Sequence, residues 1–422
     1  MTDPAPVGPA DPPARGALLR PLRHRRFRQL ALGRALTYFA NSMAPLALAF
    51  AVLDLGGSAV EVGLVVGARS VANAVLLLFG GLLADRLPRG LVLQGASLAA
   101  ALAQGAVAAA LLLDAADLTV LVVLSVLNGA VSAVSIPASA ALTPQTVPAG
   151  ELRGANALAR MGLNTGMIAG TSLGGMITAL TGPGWGLACN ALAFLAAAAA
   201  YRQAGSGLAS ARGGSGERTK PWQELREGWK EFVSRSWVWV VVLQFFVVNA
   251  VAAGSLQVLG PTIADDTFGR TAWGFVLATQ MAGALVGGIV VARSKAKHAL
   301  RIGVAVVALD ALPLLALAQS AELAILLAAM FVNGMAIEQF GVAWDLSLQE
   351  HIPQERLARV YSYDALGSML ALPAGEMTAG PLAEEIGARA TLLGGTGLVA
   401  VATCAALCSR EVRSLTVRSG AR

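Results

Sequence analysis

Residues 71–100 read VANAVLLLFGGLLADRLPRGLVLQGASLAA. A long apolar run stops at a short charged turn, and a second run begins at once. The two runs cover residues 59–84 and 90–113, each at least the roughly 20 apolar residues that cross a bilayer as a helix. Neither alternates apolar with polar residues, and neither do LALAFAVL or AFLAAAAA elsewhere, so a β-barrel is excluded.

The pattern repeats along all 422 residues, giving expected spans at 30–53, 59–84, 90–113, 118–142, 154–180, 185–203, 237–259, 271–292, 301–319, 322–348, 356–381 and 388–408. Composition agrees: 56% of residues are hydrophobic and 13% charged, with mean hydropathy +0.65. A soluble protein carries about 25% charged residues. An ordinary soluble enzyme, a nucleic-acid binder and a disordered chain are thereby excluded. The expected class is an all-α polytopic membrane protein with twelve transmembrane helices.

Loop charges set the expected orientation. One set of loops carries Arg86, Arg89, Arg153, Arg160, Arg293, Lys295, Lys297, Arg301, Arg356 and Arg359; the alternate set carries Asp54, Glu61, Asp114, Asp117, Asp265, Asp266, Glu322, Glu384 and Glu385, with only Arg270 and Arg389 basic. Basic loops stay cytoplasmic, so both termini are expected inside, and the net charge of +6 reports topology rather than a nucleic-acid partner. The basic cluster from Arg20 to Arg28 precedes a run too long for a signal peptide. The expected organisation is a disordered basic tail (1–29), a six-helix bundle (30–203), a cytoplasmic linker (204–236), a second six-helix bundle (237–408) and a cytoplasmic tail (409–422). The linker segment PWQELREGWKEF (221–232) is amphipathic; it reads equally as a membrane-surface helix and as a short solvated one.

The turn after the second run has the spacing G-x-x-x-D-R-x-x-R at Gly81, Asp85, Arg86 and Arg89. Between spans 2 and 3 of a six-plus-six chain it resembles the signature loop of the major facilitator superfamily, except that Pro88 stands where Gly is usual; the matching loop ARSKAKH (292–298) keeps only the basic character. The resemblance implies a gating loop in which Asp85 accepts from Arg86 and Arg89, set against the start of helix 11 near Arg356 to Tyr361.

Helix 5 reads GLNTGMIAGTSLGGMI (162–177), with Gly162, Gly166, Gly170 and Gly174 every four residues and Gly175 adjacent. Such a face admits another helix at close range. It also resembles the superfamily's antiporter motif, found mainly in exporters, with Thr171 in place of Pro. AVLDLGGSAVEVGLVVGARS (51–70) and SIPASAALTPQTVPAGELRGANAL (135–158) are similar to the enterobactin-exporter-like branch of drug exporters. LTPQTVPAGELRGANAL echoes LSLQEHIPQERLARVYS (346–362), as a duplicated bundle should. Two features depart from that branch: helix 4 offers Asn128 and Gly129 where an Arg is frequent, and helix 1 has Asn41 where an Asp is frequent.

Ionisable groups inside spans default to function. Arg34 lies close enough to the inner surface to snorkel, Asp345 sits near an inner helix end, and Asp310 lies on helix 9, a scaffold helix by what the resemblance implies. Arg69, Glu338, Asp364 and Glu376 remain as proton-coupling candidates, Glu338 first, because a carboxylate in an apolar cavity can take up and release a proton within a cycle. Arg69 is expected to pair with a carboxylate across the cavity. Asn41, Asn128, Gln244, Asn249 and Asn333 are the cavity candidates, since polar side chains in lipid need a partner.

No H-E-x-x-H or Walker loop occurs, and His24, His298 and His351 are scattered, as are Cys189, Cys404 and Cys408. No cofactor, metal or catalytic residue is expected. The expected function is proton-antiport export of small amphipathic molecules by alternating access, from a multi-pass position in the plasma (inner) membrane. The expected partners are substrate, protons and lipid, with no nucleic acid, and the family implies a monomer. The alternatives are a facilitator-type importer of a small metabolite and a non-transporting membrane enzyme or sensor.

Overall fold

A computed structural model describes residues 17–84, 88–205, 229–230, 232–293, 297–319 and 322–416. All the regular structure among them is helical. After a 3₁₀ turn at Ala17–Arg23, the first half holds α1 (Arg25–Asp54), α2 (Ala59–Ala84), α3 (Arg89–Leu112), α4 (Leu118–Leu142), α5 (Leu152–Thr181) and α6 (Pro183–Gly205). The second holds α7 (Ser236–Asp266), α8 (Arg270–Arg293), α9 (Ala299–Ala318), α10 (Leu323–His351), α11 (Gln354–Ile386) and α12 (Ala388–Cys408), then the short α13 (Arg410–Ser414). Nine of these, all but α4, α5 and α11, are long and apolar enough to cross a membrane among the described residues. α5 and α11 are more polar because they carry the glycine face and the membrane-level acids.

Prolines explain where helices deform. Pro261 has no N–H for the carbonyl of Gln257, and α7 absorbs the lost bond with a π-helical stretch, Ala253–Leu259. The helix therefore continues to Asp266, beyond the expected end at 259. Pro313 likewise has no N–H for the Leu309 carbonyl, and α9 tightens to 3₁₀ over Val307–Asp310. α11 continues to Ile386 and stops at Gly387, whose φ of +88° suits glycine, so Glu384 and Glu385 lie on its last turn rather than in a loop.

The end of the bundle where α1 begins is termed basal, the opposite end apical. At the apical end one hydrophobic core joins the halves: Phe50, Val62, Val65 and Leu121 pack with Val258, Trp273, Met330 and Leu392. At the basal end the cores are separate among the described residues, one around Trp237, Val304, Trp344 and Val360, others around Leu30, Leu93 and Tyr201 and around Phe27, Val147 and Ala155.

The halves meet along α2–α11 and α5–α8. Both seams are built on glycine. A Cβ on Gly380 would meet the Ala59 carbonyl, one on Gly63 the Glu376 carbonyl, and one on Gly175 would approach Gly274. Arg270 on α8 adds a charged clasp: its guanidinium donates to Asp265 and to Asp54 at the end of α1, and lies 4.9 Å from the centre of the Phe50 ring.

The α1–α5 interface shows what the regular glycine spacing does. Gly166, Gly170 and Gly174 face Ala35, Phe39 and Met43, so both helices advance by four residues per contact. α5 thus lies directly on the α1 backbone, as the sequence predicts for a small-residue face.

Candidate functional site

A cavity of about 300 Å³ opens between α1, α2, α4, α5 and α11. On α1, Arg34, Tyr38, Asn41 and Ser42 form one stripe facing it. Arg69, Ser70 and Asn73 face it from α2, Ser132 and Ser135 from α4, and Met167, Met369 and Leu372 supply an apolar wall.

Arg69 is the centre of the polar wall. Its Nε donates to Asn128 Oδ1 at 2.9 Å, and its Nη2 donates to Asn41 Oδ1 at 2.8 Å and to the Asn41 carbonyl at 3.5 Å. That carbonyl is available because Pro45, four residues on, has no N–H to offer it. Ser132 donates to Asn41 Oδ1 at 3.2 Å, one turn beyond Asn128. Gly129 lets α4 approach this closely, for a Cβ there would strike the Arg69 carbonyl.

Glu376 faces Arg69 from the other half of the molecule. It is 1% exposed, hydrogen-bonds Ser70, and interacts electrostatically with Arg69. Its Oε2 is buried without a hydrogen-bond partner. The structure therefore brings together four residues singled out from sequence, Asn41, Arg69, Asn128 and Glu376. Ser70 and Ser132 were missed; a lone serine in an apolar run carries no signal, since serines bond their own helix backbone.

The second half repeats the arrangement with a change of charge. Gln280 on α8 donates to Asn333 Oδ1 at 2.6 Å, and a Cβ on Gly334 would strike the Gln280 carbonyl. Asn128–Gly129 and Asn333–Gly334 thus hold equivalent places on α4 and α10, with Arg69 and Gln280 as their partners on α2 and α8. The repeated Asn-Gly pair was a readable signal for Gln280. Asn333 also donates to Asp310 Oδ1 at 2.7 Å, so Asn333 is an interhelical tie between α8, α9 and α10. Asn333→Ala should destabilise the chain by about 1–3 kcal/mol, because it leaves a buried carboxylate without its donor. Thermal unfolding in detergent measures this, and an unchanged melting temperature would refute the tie.

The other candidates lie apart. Glu338 packs over Gly288 of α8, its Oε1 3.7 Å from where a Cβ would sit. Asp364 accepts from Trp344 Nε1 at 3.1 Å, and Asp345 accepts from Tyr361 at 2.9 Å. Gln244 turns toward α9 and α12, donating to Thr403 at 3.1 Å and to the Val304 carbonyl at 3.5 Å. Asn249 is half-buried on α7. Thr171 bonds the Met167 carbonyl of its own helix at 3.1 Å. Of the gating loop, Gly81 ends up inside α2 and Arg89 starts α3, while Asp85 and Arg86 lie outside the described residues. Among the described residues no group of His, Cys, Asp and Glu is placed to hold a metal ion.

Comparison with known proteins adds the following. The family model of the Major Facilitator Superfamily matches residues 30–375. The multidrug efflux pump Tap of Mycolicibacterium fortuitum is 27% identical over 383 residues, covering 86% of this chain and 91% of that protein. A bacterial homologue of the human lysosomal transporter Spinster, in an inward-facing and unoccupied conformation, superposes with a TM-score of 0.70 at 14% identity, covering 93% of this chain and 98% of that one. The nucleoside transporter NupG superposes with a TM-score of 0.67 at 12% identity, over 90% of this chain and 98% of that one.

Proposed function

Since the chain belongs to the major facilitator superfamily, we propose that it is a secondary-active exporter of small amphipathic molecules, driven by proton antiport. In this reading it crosses the membrane twelve times with both termini in the cytoplasm. The bundles 30–203 and 237–408 rock about the cavity, with 204–236 as their tether, and the monomer is the working unit. The basal end then faces the cytoplasm, and the basal cores, separate among the described residues, support an inward-facing reading.

One observation carries the proposal. A buried carboxylate on one half, Glu376, faces a guanidinium on the other, Arg69, at the α2–α11 seam beside the cavity. Bringing a proton to Glu376 cancels an attraction that holds the halves together, which couples proton movement to rocking. The glycine face of α5 and the efflux-pump relative favour export over import. In this reading the chain is a transporter and not an enzyme.

The test is uptake of a panel of hydrophobic dyes and antibiotics by inside-out vesicles carrying a pH gradient. Uptake that collapses with an uncoupler supports proton-driven export. Uptake unaffected by the gradient, or accumulation of a metabolite by intact cells instead, overturns it.

The apical clasp gives a second expectation. Exposed ion pairs contribute about 0.2–1 kcal/mol each, so Arg270→Gln, which cuts the Asp54 link, should raise the apically open population only a few-fold. Spin labels at residues 58 and 269 in a cysteine-free background would read this as a longer-distance component that grows. An unchanged distance distribution would show that the shared apical core alone holds the closed end.

A further inference from the structure

The two arginines at the cavity are not in the same condition. Arg69 is held on both sides: its Nε and Nη2 donate to Asn128 and Asn41, and its charge faces Glu376. Arg34, seven residues before Asn41 on the same stripe of α1, is not. Its one hydrogen bond is from Nη1 to the Thr143 hydroxyl at 3.5 Å, the long limit for such a bond. Its Nε is buried with no partner.

Among the described residues no ion pair involves it. Among the described residues Glu61 caps Ser58, Asp117 caps Val120, Glu151 takes His24, and Asp54 takes Arg270. None of the described residues lining the cavity is acidic. An arginine fork with an unpaired buried Nε and no ion pair among the described residues, set at a cavity wall, is a receptor for a planar anion. Tyr38, one turn further on the stripe, places a phenol beside it, and Arg34 acts electrostatically on that phenol. The hydroxyl of Tyr201 is already taken: Thr37 donates to the Gly33 carbonyl at 2.8 Å, which leaves Tyr201 to donate to Thr37 at 3.1 Å. The opposite wall is apolar, formed by Met167, Met369 and Leu372.

We infer that the cavity takes amphipathic anions: a carboxylate-like head on Arg34 and Tyr38, and an apolar body against Met167, Met369 and Leu372. This rests on the exporter reading for its biological sense, though not for the binding itself. A soluble carboxylate and the phosphate of an anionic lipid share this head-group chemistry.

Three probes with one fluorophore and different heads test it: dansylglycine (carboxylate), dansylglycinamide (neutral) and dansylethylenediamine (cation). Each is titrated into the full chain in phosphatidylcholine nanodiscs. Wild type should bind dansylglycine about ten-fold tighter than the amide, the scale of one charge-assisted contact. Arg34→Gln should bring the two affinities together without weakening the amide, and Arg34→Lys should keep part of the preference. The ratio is read within each variant, so a loss of folded protein does not imitate the result. Equal binding of acid and amide by wild type, tighter binding of the cation, or a ratio unmoved in Arg34→Gln overturns the inference. Displacement of dansylglycine by phosphatidylglycerol in wild type but not in Arg34→Gln supports the anion site and makes lipid its occupant. Arg34-dependent binding without gradient-driven uptake of dansylglycine would uphold the site and count against the exporter reading; gradient-driven export with no preference for the acid would do the reverse.

Discussion

Glu376→Gln is expected to reduce gradient-driven uptake by inside-out vesicles to the level left by an uncoupler, in a protein that still folds. Glutamine has the shape of a protonated glutamate and can keep the contact with Ser70. It cannot carry the charge. Arg69 retains its bonds to Asn41 and Asn128, so the first-half wall stays built. What is lost is the alternation between a charged state that attracts Arg69 and a neutral state that does not. Removing one member of a buried pair costs about 3–5 kcal/mol when the remaining charge has no other support; here the two asparagines cushion Arg69, so folding should survive while coupling fails. Pairing this variant with Arg69→Gln completes a double-mutant cycle. If the two residues act as one unit, the double variant should be little worse than either single one. Glu338→Gln is the discriminating control, because that side chain packs over Gly288 on α8 rather than toward Arg69. It should keep most of the coupling. Loss of coupling in Glu338→Gln with retention in Glu376→Gln would move the proton site to α10.

This ranking reverses the one that sequence supports, and the reason is geometric. Glu338 and Glu376 are equivalent as letters: each is an acid in an apolar run. Which one faces Arg69 depends on the rotation of α10 and α11, and that is set by tertiary contacts such as Gly375 on the Ala250 carbonyl. The list of polar residues that lipid would punish was readable, and four of its members meet around Arg69 at the cavity. Their pairing was not. The availability of the Asn41 carbonyl follows from Pro45, a local rule, but its use by Arg69 needs α2 beside α1 and α4. Gln244 shows the converse: a polar residue at span level that ties α7 to α9 and α12.

Helix positions were more legible than site geometry, because apolar run length is a one-dimensional signal. α7 runs beyond 259 because a π turn absorbs Pro261, and α11 runs beyond 381 with Glu384 and Glu385 on its last turns.

The glycine face of α5 was legible both as spacing and as consequence, and it supports the sharpest stability ranking. Gly170→Ala should be costly although it adds only one methyl. The new Cβ would strike the carbonyl of Phe39, and a backbone atom of a packed helix cannot rotate aside. α5 and α1 would have to separate, which loosens the wall that carries Arg34, Tyr38 and Asn41. Gly174→Ala should be milder, since its Cβ would meet the Met43 side chain, which is flexible enough to give way. Gly397→Ala should be close to neutral, for nothing lies within 4 Å of its added Cβ. In soluble cores overpacking costs about 1–3 kcal/mol, and a backbone clash belongs at the upper end of that range. The expected order of melting temperatures in detergent is therefore Gly397→Ala, then Gly174→Ala, then Gly170→Ala as the lowest, with Gly170→Leu giving little monodisperse protein. If Gly170→Ala melts with Gly397→Ala, α5 does not rest on the α1 backbone, and a four-residue glycine spacing in this chain would mark a tolerant surface instead of a contact. If only Gly174→Ala is severe, the seam is closed by the Met43 side chain, and the close backbone approach at Gly166 and Gly170 contributes little to holding the cavity wall in place.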